Sequence, residues 1–252
     1  MIEIRNVRKS YGEKEVLHNI SLTLPEGKIS AFIGSNGAGK STLLSMVSRL
    51  LAPSEGDIFI DEIRVADWNN RELAKRLAVL RQSNFMNIRL SVEELVSFGR
   101  FPYSQGRLTA DDRQAVEQAL SYMQITDIRN RFLDELSGGQ RQMAFIAMVI
   151  AQDTHYVMLD EPLNNLDIRH SVDMMRILRR LVDEMGKTVV IVIHDINFVS
   201  CYADYIVALR DGELVAAGDS EDIITPPVLE RIYGLEIDIR EIEGNRICVY
   251  YK

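Results

Sequence analysis

The run Gly34-Ser35-Asn36-Gly37-Ala38-Gly39-Lys40-Ser41-Thr42 fits the pattern G-x-x-x-x-G-K-[ST], between an apolar stretch at 29–33 and a helix-like stretch at 43–50. Its chemistry is phosphate binding. The glycines let the backbone curl so that successive N–H groups point inward, a helix start adds partial positive charge, and Lys40 can reach the terminal phosphates of a nucleotide. Ser41 supplies a hydroxyl for Mg²⁺. Further along, an apolar run at 156–159 ends in Asp160-Glu161. One carboxylate there can hold Mg²⁺ through water and the other can orient or deprotonate an attacking water, both of which are needed to move a γ-phosphoryl group onto water. His194 closes another apolar run and can sense or stabilise a terminal phosphate, although a histidine taken singly is by default a core or surface residue. Leu136-Ser137-Gly138-Gly139-Gln140 is a Ser-Gly-Gly helix entry, a second anion site of the same physical kind as the first.

These residues need a scaffold that brings strand ends together. Short alternating apolar segments at 2–7 and 16–24 predict an antiparallel β-region ahead of the loop. Unbroken apolar runs at 29–33, 77–80, 156–159 and 188–193 predict buried strands, and they alternate with helical periodicity, as in a parallel sheet covered on both faces. Ligands bind beyond the carboxyl ends of such strands, so Gly34, Gln82, Asp160 and His194 are expected to converge. Ser91-Val92-Glu93-Glu94 and Thr109-Ala110-Asp111-Asp112 read as capping boxes, each opening a helix. Residues 83–135 are therefore expected to be a mainly helical subdomain. Asp211-Gly212 predicts a hairpin, Gly244-Asn245 a second, and Pro226-Pro227 an interruption of helix.

At 252 residues the chain is long enough to bury a substantial core. A net charge of −8 argues against a nucleic-acid surface spread over the whole protein. Cys201 and Cys248 are too few and too distant for a zinc motif or a disulfide framework, and read as inert thiols in a reducing compartment. The start Met1-Ile2-Glu3-Ile4-Arg5 carries charges where a signal peptide would be apolar, and no run reaches membrane-spanning length, so a membrane role is expected to come through a partner. His18, His155, His170 and Trp68 are taken as structural.

Together these motifs resemble the nucleotide-binding subunit of an ATP-binding cassette (ABC) transporter over residues 1–235. The matching parts are the Walker A loop at 34–42, a Q-loop at Gln82, the signature at 136–140, Walker B at 156–160 with Glu161, a D-loop ending in Leu166-Asp167, and the switch His194. The resemblance implies an α/β P-loop NTPase core with a mostly parallel sheet, an N-terminal antiparallel β-region and an inserted helical subdomain. It implies one ABC ATPase domain over 1–252, with 1–82 and 136–235 as nucleotide-binding core, 83–135 as helical signature subdomain and 236–252 as a β tail. It implies that Tyr11 stacks on adenine, that Ser41, Gln82 and Asp160 hold Mg²⁺, and that Glu161 and His194 serve hydrolysis. Ser137, Gly138, Gly139, Gln140 and Asp167 would contact ATP held by a second copy, in a head-to-tail homodimer around two ATP molecules.

The sequence departs from the commonest pattern at Ser35, at Asn164-Asn165 in the D-loop and at Gln142-Met143. The stretch Val96-Ser97-Phe98-Gly99-Arg100-Phe101-Pro102-Tyr103 resembles bacterial importers of ferric siderophores, haem and vitamin B12, above all catecholate-siderophore systems of the petrobactin type. That implies permease subunits as partners, docking around 82–103, a substrate-binding protein reached indirectly, a place at the cytoplasmic face of the membrane, and no nucleic-acid partner. A soluble cassette ATPase of iron–sulfur cluster assembly is the alternative of another class; a cassette of DNA repair or translation fits less well, because such proteins carry long insertions or two cassettes.

Overall fold

The structure is a computed structural model that describes residues 1–81, 88–164 and 166–251. The chain divides into two compact units, residues 1–68 with 182–252, and residues 69–181. In the first, β1 (Ile2–Tyr11) and β2 (Lys14–Leu24) form the expected antiparallel hairpin and bury Ile2, Ile4, Val7, Leu17, Ile20, Leu22 and Leu24, with the period of two broken by register shifts on either side of Val7. β3 (Ile29–Ile33) is buried at every position and leads through the glycine-rich loop into α1 (Lys40–Val47). β4 (Glu55–Ile60) and β5 (Ile63–Arg64) return to the hairpin, giving the order β2-β1-β4-β5, antiparallel throughout.

The second unit holds α2 (Asn70–Arg76), β6 (Leu77–Leu80), α3 (Val92–Phe98), α4 (Phe101–Ser104), α5 (Ala110–Tyr122), α6 (Gly138–Ala151), β7 (Tyr156–Asp160) and most of α7 (Ile168–Asp183). β6 and β7 pair in parallel, Leu77 opposite Tyr156 and Leu80 opposite Leu159. Both expected capping boxes form. Ser91 Oγ accepts from Glu94 N while Glu94 accepts from Ser91 N, and Thr109 and Asp112 do the same for α5. The helix entry read at 136–140 also forms: α6 starts at Gly138, with Ser137 as its cap.

Asp112 also joins three helices. Its Oδ1 accepts from Arg100 Nε at 2.9 Å, and Arg100 Nη1 donates to Ala151 O at the end of α6. Both side chains are buried, 11% and 3% exposed. Burial alone would raise the Asp112 carboxyl, but the bonds from Thr109 N–H, Arg100 and the Thr109 hydroxyl outweigh it and hold the group below the ordinary carboxylate range.

The chain then re-enters the first unit with β8 (Thr188–Val192), α8 (Ile196–Tyr202), β9 (Tyr205–Arg210), β10 (Glu213–Asp219), α9 (Ser220–Ile223), α10 (Pro226–Tyr233), β11 (Asp238–Ile242) and β12 (Asn245–Val249). Here the strand order is β10-β9-β3-β8, with β8, β3 and β9 parallel and β10 antiparallel at the edge. Asp211 and Gly212 make the expected turn, with φ of 51° and 81°. Pro226-Pro227 separates two helices: α9 stops at Ile223 ahead of the pair, which itself begins α10, where the missing N–H costs nothing because the first helical donors have no intrahelical partner. The second hairpin turns at Glu243-Gly244, one residue earlier than expected, since those two residues take the positive φ values of 49° and 77°.

Asp112→Ala should destabilise the protein by about 3 kcal/mol, because it leaves the Arg100 guanidinium buried without its carboxylate. Since the folded carboxyl is depressed, its stabilisation is complete above the ordinary carboxylate range and is lost as pH falls through the lower folded value. Urea unfolding of both proteins at neutral and acid pH checks this: the gap should narrow in acid, and a variant as stable as the parent at neutral pH contradicts it.

Candidate functional site

The glycine-rich loop leaves β3 at Gly34, whose φ of 137° suits glycine; a Cβ there would lie 1.9 Å from Leu209 O. Gly39, at φ 95°, packs on β2, where a Cβ would come 2.5 Å from Leu17 Cδ2. Between them Ser35, Asn36 and Gly37 are exposed, while Ala38 is buried and donates its N–H to Ser35 O at 3.2 Å. Lys40 is only 4% exposed, and its ammonium donates to Gly34 O and Ser35 O, both at 2.9 Å. The loop thus closes on its own lysine. Ser41 and Thr42 stand half-buried in the first turn of α1. That helix has no side-chain cap and no acidic residue in its first turn, so its N-terminal donors suit an anion.

His194 lies beside this loop. β8 pairs in parallel with β3, Phe32 opposite Val192, and Ile193 N donates to Phe32 O at 3.4 Å. The next residue, His194, is exposed and precedes Asp195, which caps α8 by accepting from Asn197 N and Phe198 N. Tyr11 ends β1 opposite Lys14, close along the hairpin to the Val16-Leu17 segment on which Gly39 packs. It is 54% exposed, with Lys9 Nζ 5.2 Å from the ring centroid, so it offers a flat aromatic face.

In the second unit Asp160 ends β7, half-buried. Glu161 follows with a φ of 52°, a left-handed conformation that costs a non-glycine residue energy and persists where its surroundings enforce it. Asn164 supplies that enforcement, donating its N–H to Glu161 O at 3.2 Å and its side-chain amide to Glu161 Oε2. Gln142 Nε2 donates to Pro162 O at 3.0 Å, tying the turn to α6.

The helix entry at 137–140 is itself a capping box. Ser137 Oγ accepts from Gln140 N and Gln140 Oε1 accepts from Ser137 N, both at 3.2 Å. Gly139 faces Leu166 and the His170 ring, each 3.6 Å from where a Cβ would sit. Asp167 Oδ1 accepts from His170 N at 2.9 Å and lies 2.8 Å from His170 Nδ1; these bonds hold its carboxyl below the usual range. His170, assigned no site role from sequence, therefore orients Asp167; the D-x-x-H spacing at a helix start was the available signal. Gln82 and Asn165 lie outside the described residues.

Gly34, Lys40, Tyr11 and His194 belong to the first unit, and Asp160, Glu161, Asp167 and 137–140 to the second. Among the described residues there is no group of three or more His, Cys, Asp or Glu able to hold a metal unaided. A groove of about 490 Å³ in the second unit is lined by Leu90, Glu94, Ser97, Phe98, Phe101 and Leu108, with Phe98 48% and Phe101 56% exposed.

A parallel-sheet strand, a glycine-hinged loop around a buried lysine and an uncapped helix define a P-loop nucleoside triphosphatase. The chain belongs to the ABC transporter family, whose sequence profile matches residues 17–164, and it is an ATPase of that family. It is 58% identical over 251 residues to the petrobactin import ATP-binding protein YclP of Bacillus subtilis (strain 168), covering 100% of both chains. It is 46% identical over 250 residues to the petrobactin import ATP-binding protein FatE of Bacillus anthracis, covering 99% of this chain and 100% of the other. The dimeric structure of MJ0796, a bacterial ABC transporter cassette, superposes with a TM-score of 0.78 at 32% identity, covering 87% of this chain and 99% of that one.

Gly34→Ala should lower stability by about 2 kcal/mol or more, through strained φ and the clash with Leu209 O. It should also remove the rise in melting temperature that MgATP gives the parent. Calorimetry with and without MgATP checks both; a variant that melts like the parent and keeps the shift contradicts the assignment.

Proposed function

We propose that the protein is the ATP-hydrolysing subunit of a bacterial importer, energising uptake of an iron(III)-siderophore across the cytoplasmic membrane. The observation that carries this reading is the full-length likeness, at 58% identity, to a petrobactin import ATP-binding protein. The domain reading from sequence stands as part of it: one ABC ATPase domain with a helical signature subdomain at 83–135 and a β tail at 236–252.

In this reading the amides of 34–42 and Lys40 bind the phosphates, Tyr11 stacks on the adenine, and Ser41, Gln82 and Asp160 hold Mg²⁺. The ion, when bound, neutralises phosphate charge. Glu161 takes the proton of the attacking water, and His194 stabilises the γ-phosphate as a switch. Ser137, Gly138, Gly139, Gln140 and Asp167 of a second copy complete each site, so two ATP molecules lie in a homodimer, whose closure on ATP and reopening after hydrolysis drive transport.

No helix among the described residues is long and apolar enough to cross a membrane, and integral-membrane permease subunits would provide the passage. The exposed Phe98 and Phe101 of the apolar groove support docking of the permease around 82–103, which would hold the protein at the cytoplasmic face. An extracytoplasmic substrate-binding protein would engage the permease and never this subunit directly.

Glu161→Gln should lose at least about 100-fold in ATP turnover while still binding ATP and accumulating as an ATP-bound dimer. Phosphate release and size-exclusion chromatography with MgATP measure this; undiminished turnover removes Glu161 from the role of base. In a strain lacking the gene, uptake of radio-iron as the petrobactin complex should fall to background and return with the parent gene, not with Glu161→Gln. Unchanged uptake assigns the subunit to another cargo.

A further inference from the structure

His194 lies in a short connection between β8 and α8, so its placement depends on how α8 is held. Asp195 fixes where the helix starts, but a single cap leaves the helix free to turn about its own axis. Ile196 and Val199 are buried and resist that turning through non-directional packing, and Asp204 beyond the helix end is bonded to Ile29. Within the helix a directional restraint comes from Asn197. Its Oδ1 accepts from Cys248 N at 2.7 Å and its Nδ2 donates to Cys248 O at 3.3 Å. One side-chain amide thus pairs with a backbone residue as a neighbouring strand would, and Cys248, 1% exposed, is shielded from water that would compete for those bonds.

The other end of this clamp is anchored as well. β12 pairs with β11, Ile239 opposite Cys248, and Arg246 Nη1 donates to Glu221 O and Ile224 O beside α9. The C-terminal hairpin is therefore an internal brace between the α9 region and the helix that follows His194.

We propose that Asn197 is a positioning residue for ATP hydrolysis, which pins α8 to Cys248 of the C-terminal hairpin and so sets where His194 stands against the phosphate loop. This rests on the reading of His194 as the γ-phosphate switch. Removing the clamp leaves the loop, Lys40 and Tyr11 untouched, so ATP affinity is preserved and the chemical step suffers.

The test is a double-mutant cycle on the full-length protein, with steady-state ATPase kinetics and thermal unfolding for each variant. Asn197→Ala should lower kcat about tenfold, leave KM for MgATP within about twofold, and unfold cooperatively. Asn197→Asp, which keeps the acceptor for Cys248 N–H, should retain more activity than the alanine variant and guards against misfolding as the explanation. In a His194→Ala background, Asn197→Ala should add no further loss. A wild-type kcat for Asn197→Ala, or an equal fold-loss in both backgrounds, overturns the positioning role. His194→Ala hydrolysing at the wild-type rate instead overturns the switch reading itself, and the positioning role with it.

Discussion

A buried ammonium needs oxygen around it, and the loop from Gly34 to Lys40 is built to supply that need from its own backbone. Lys40 donates to the carbonyls of Gly34 and Ser35, and Gly34 can present its carbonyl there because its φ of 137° and close approach to Leu209 O are open to glycine alone. β3 must be fully buried to hold the start of the loop, β2 must supply Leu17 to pack on Gly39, and β8 must lie alongside for His194 to emerge next to Gly34. A nucleotide phosphate offers Lys40 stronger acceptors than neutral carbonyls.

The two helix starts are built in opposite ways. α1 begins after Gly39 with no side-chain cap and no acidic residue in its first turn, a start that suits an anion. α6 begins at Ser137 with a complete capping box, so the same residues that would meet a second copy's nucleotide first serve to start a helix. This difference fits the division of labour in the proposed dimer, in which one loop binds ATP by itself and the other adds contacts once ATP is held.

What was legible in the sequence was local. The capping boxes at Ser91 and Thr109, the Asp211-Gly212 turn and the buried strands all follow from residue type at short spacing, and all formed. Pro226 shows one local signal acting twice: the helix before it stops at Ile223, and the same proline suits the first position of the helix that follows. The Asn197–Cys248 clamp was out of reach, because a single asparagine and a cysteine backbone 51 residues away leave no pattern. The same holds for Arg100, which in sequence is one charge in an aromatic stretch and in the fold is a buried link from Asp112 to Ala151. For the site, the motifs named the residues and strand topology accounts for Gly34 and His194 meeting, while the orientation of Asp167 by His170 needed coordinates.

The central claim is that the phosphate loop is half a site, completed by 137–140 of another copy. It is tested most directly by mixing two inactive variants, Lys40→Ala and Ser137→Ala, under conditions that let protomers exchange. In a two-fold dimer each mixed pair then carries one site with both lesions and one with neither. The account predicts that ATPase activity reappears on mixing, well above the sum of the separate variants. Activity no greater than that sum, with exchange confirmed by differently tagged protomers, would contradict it.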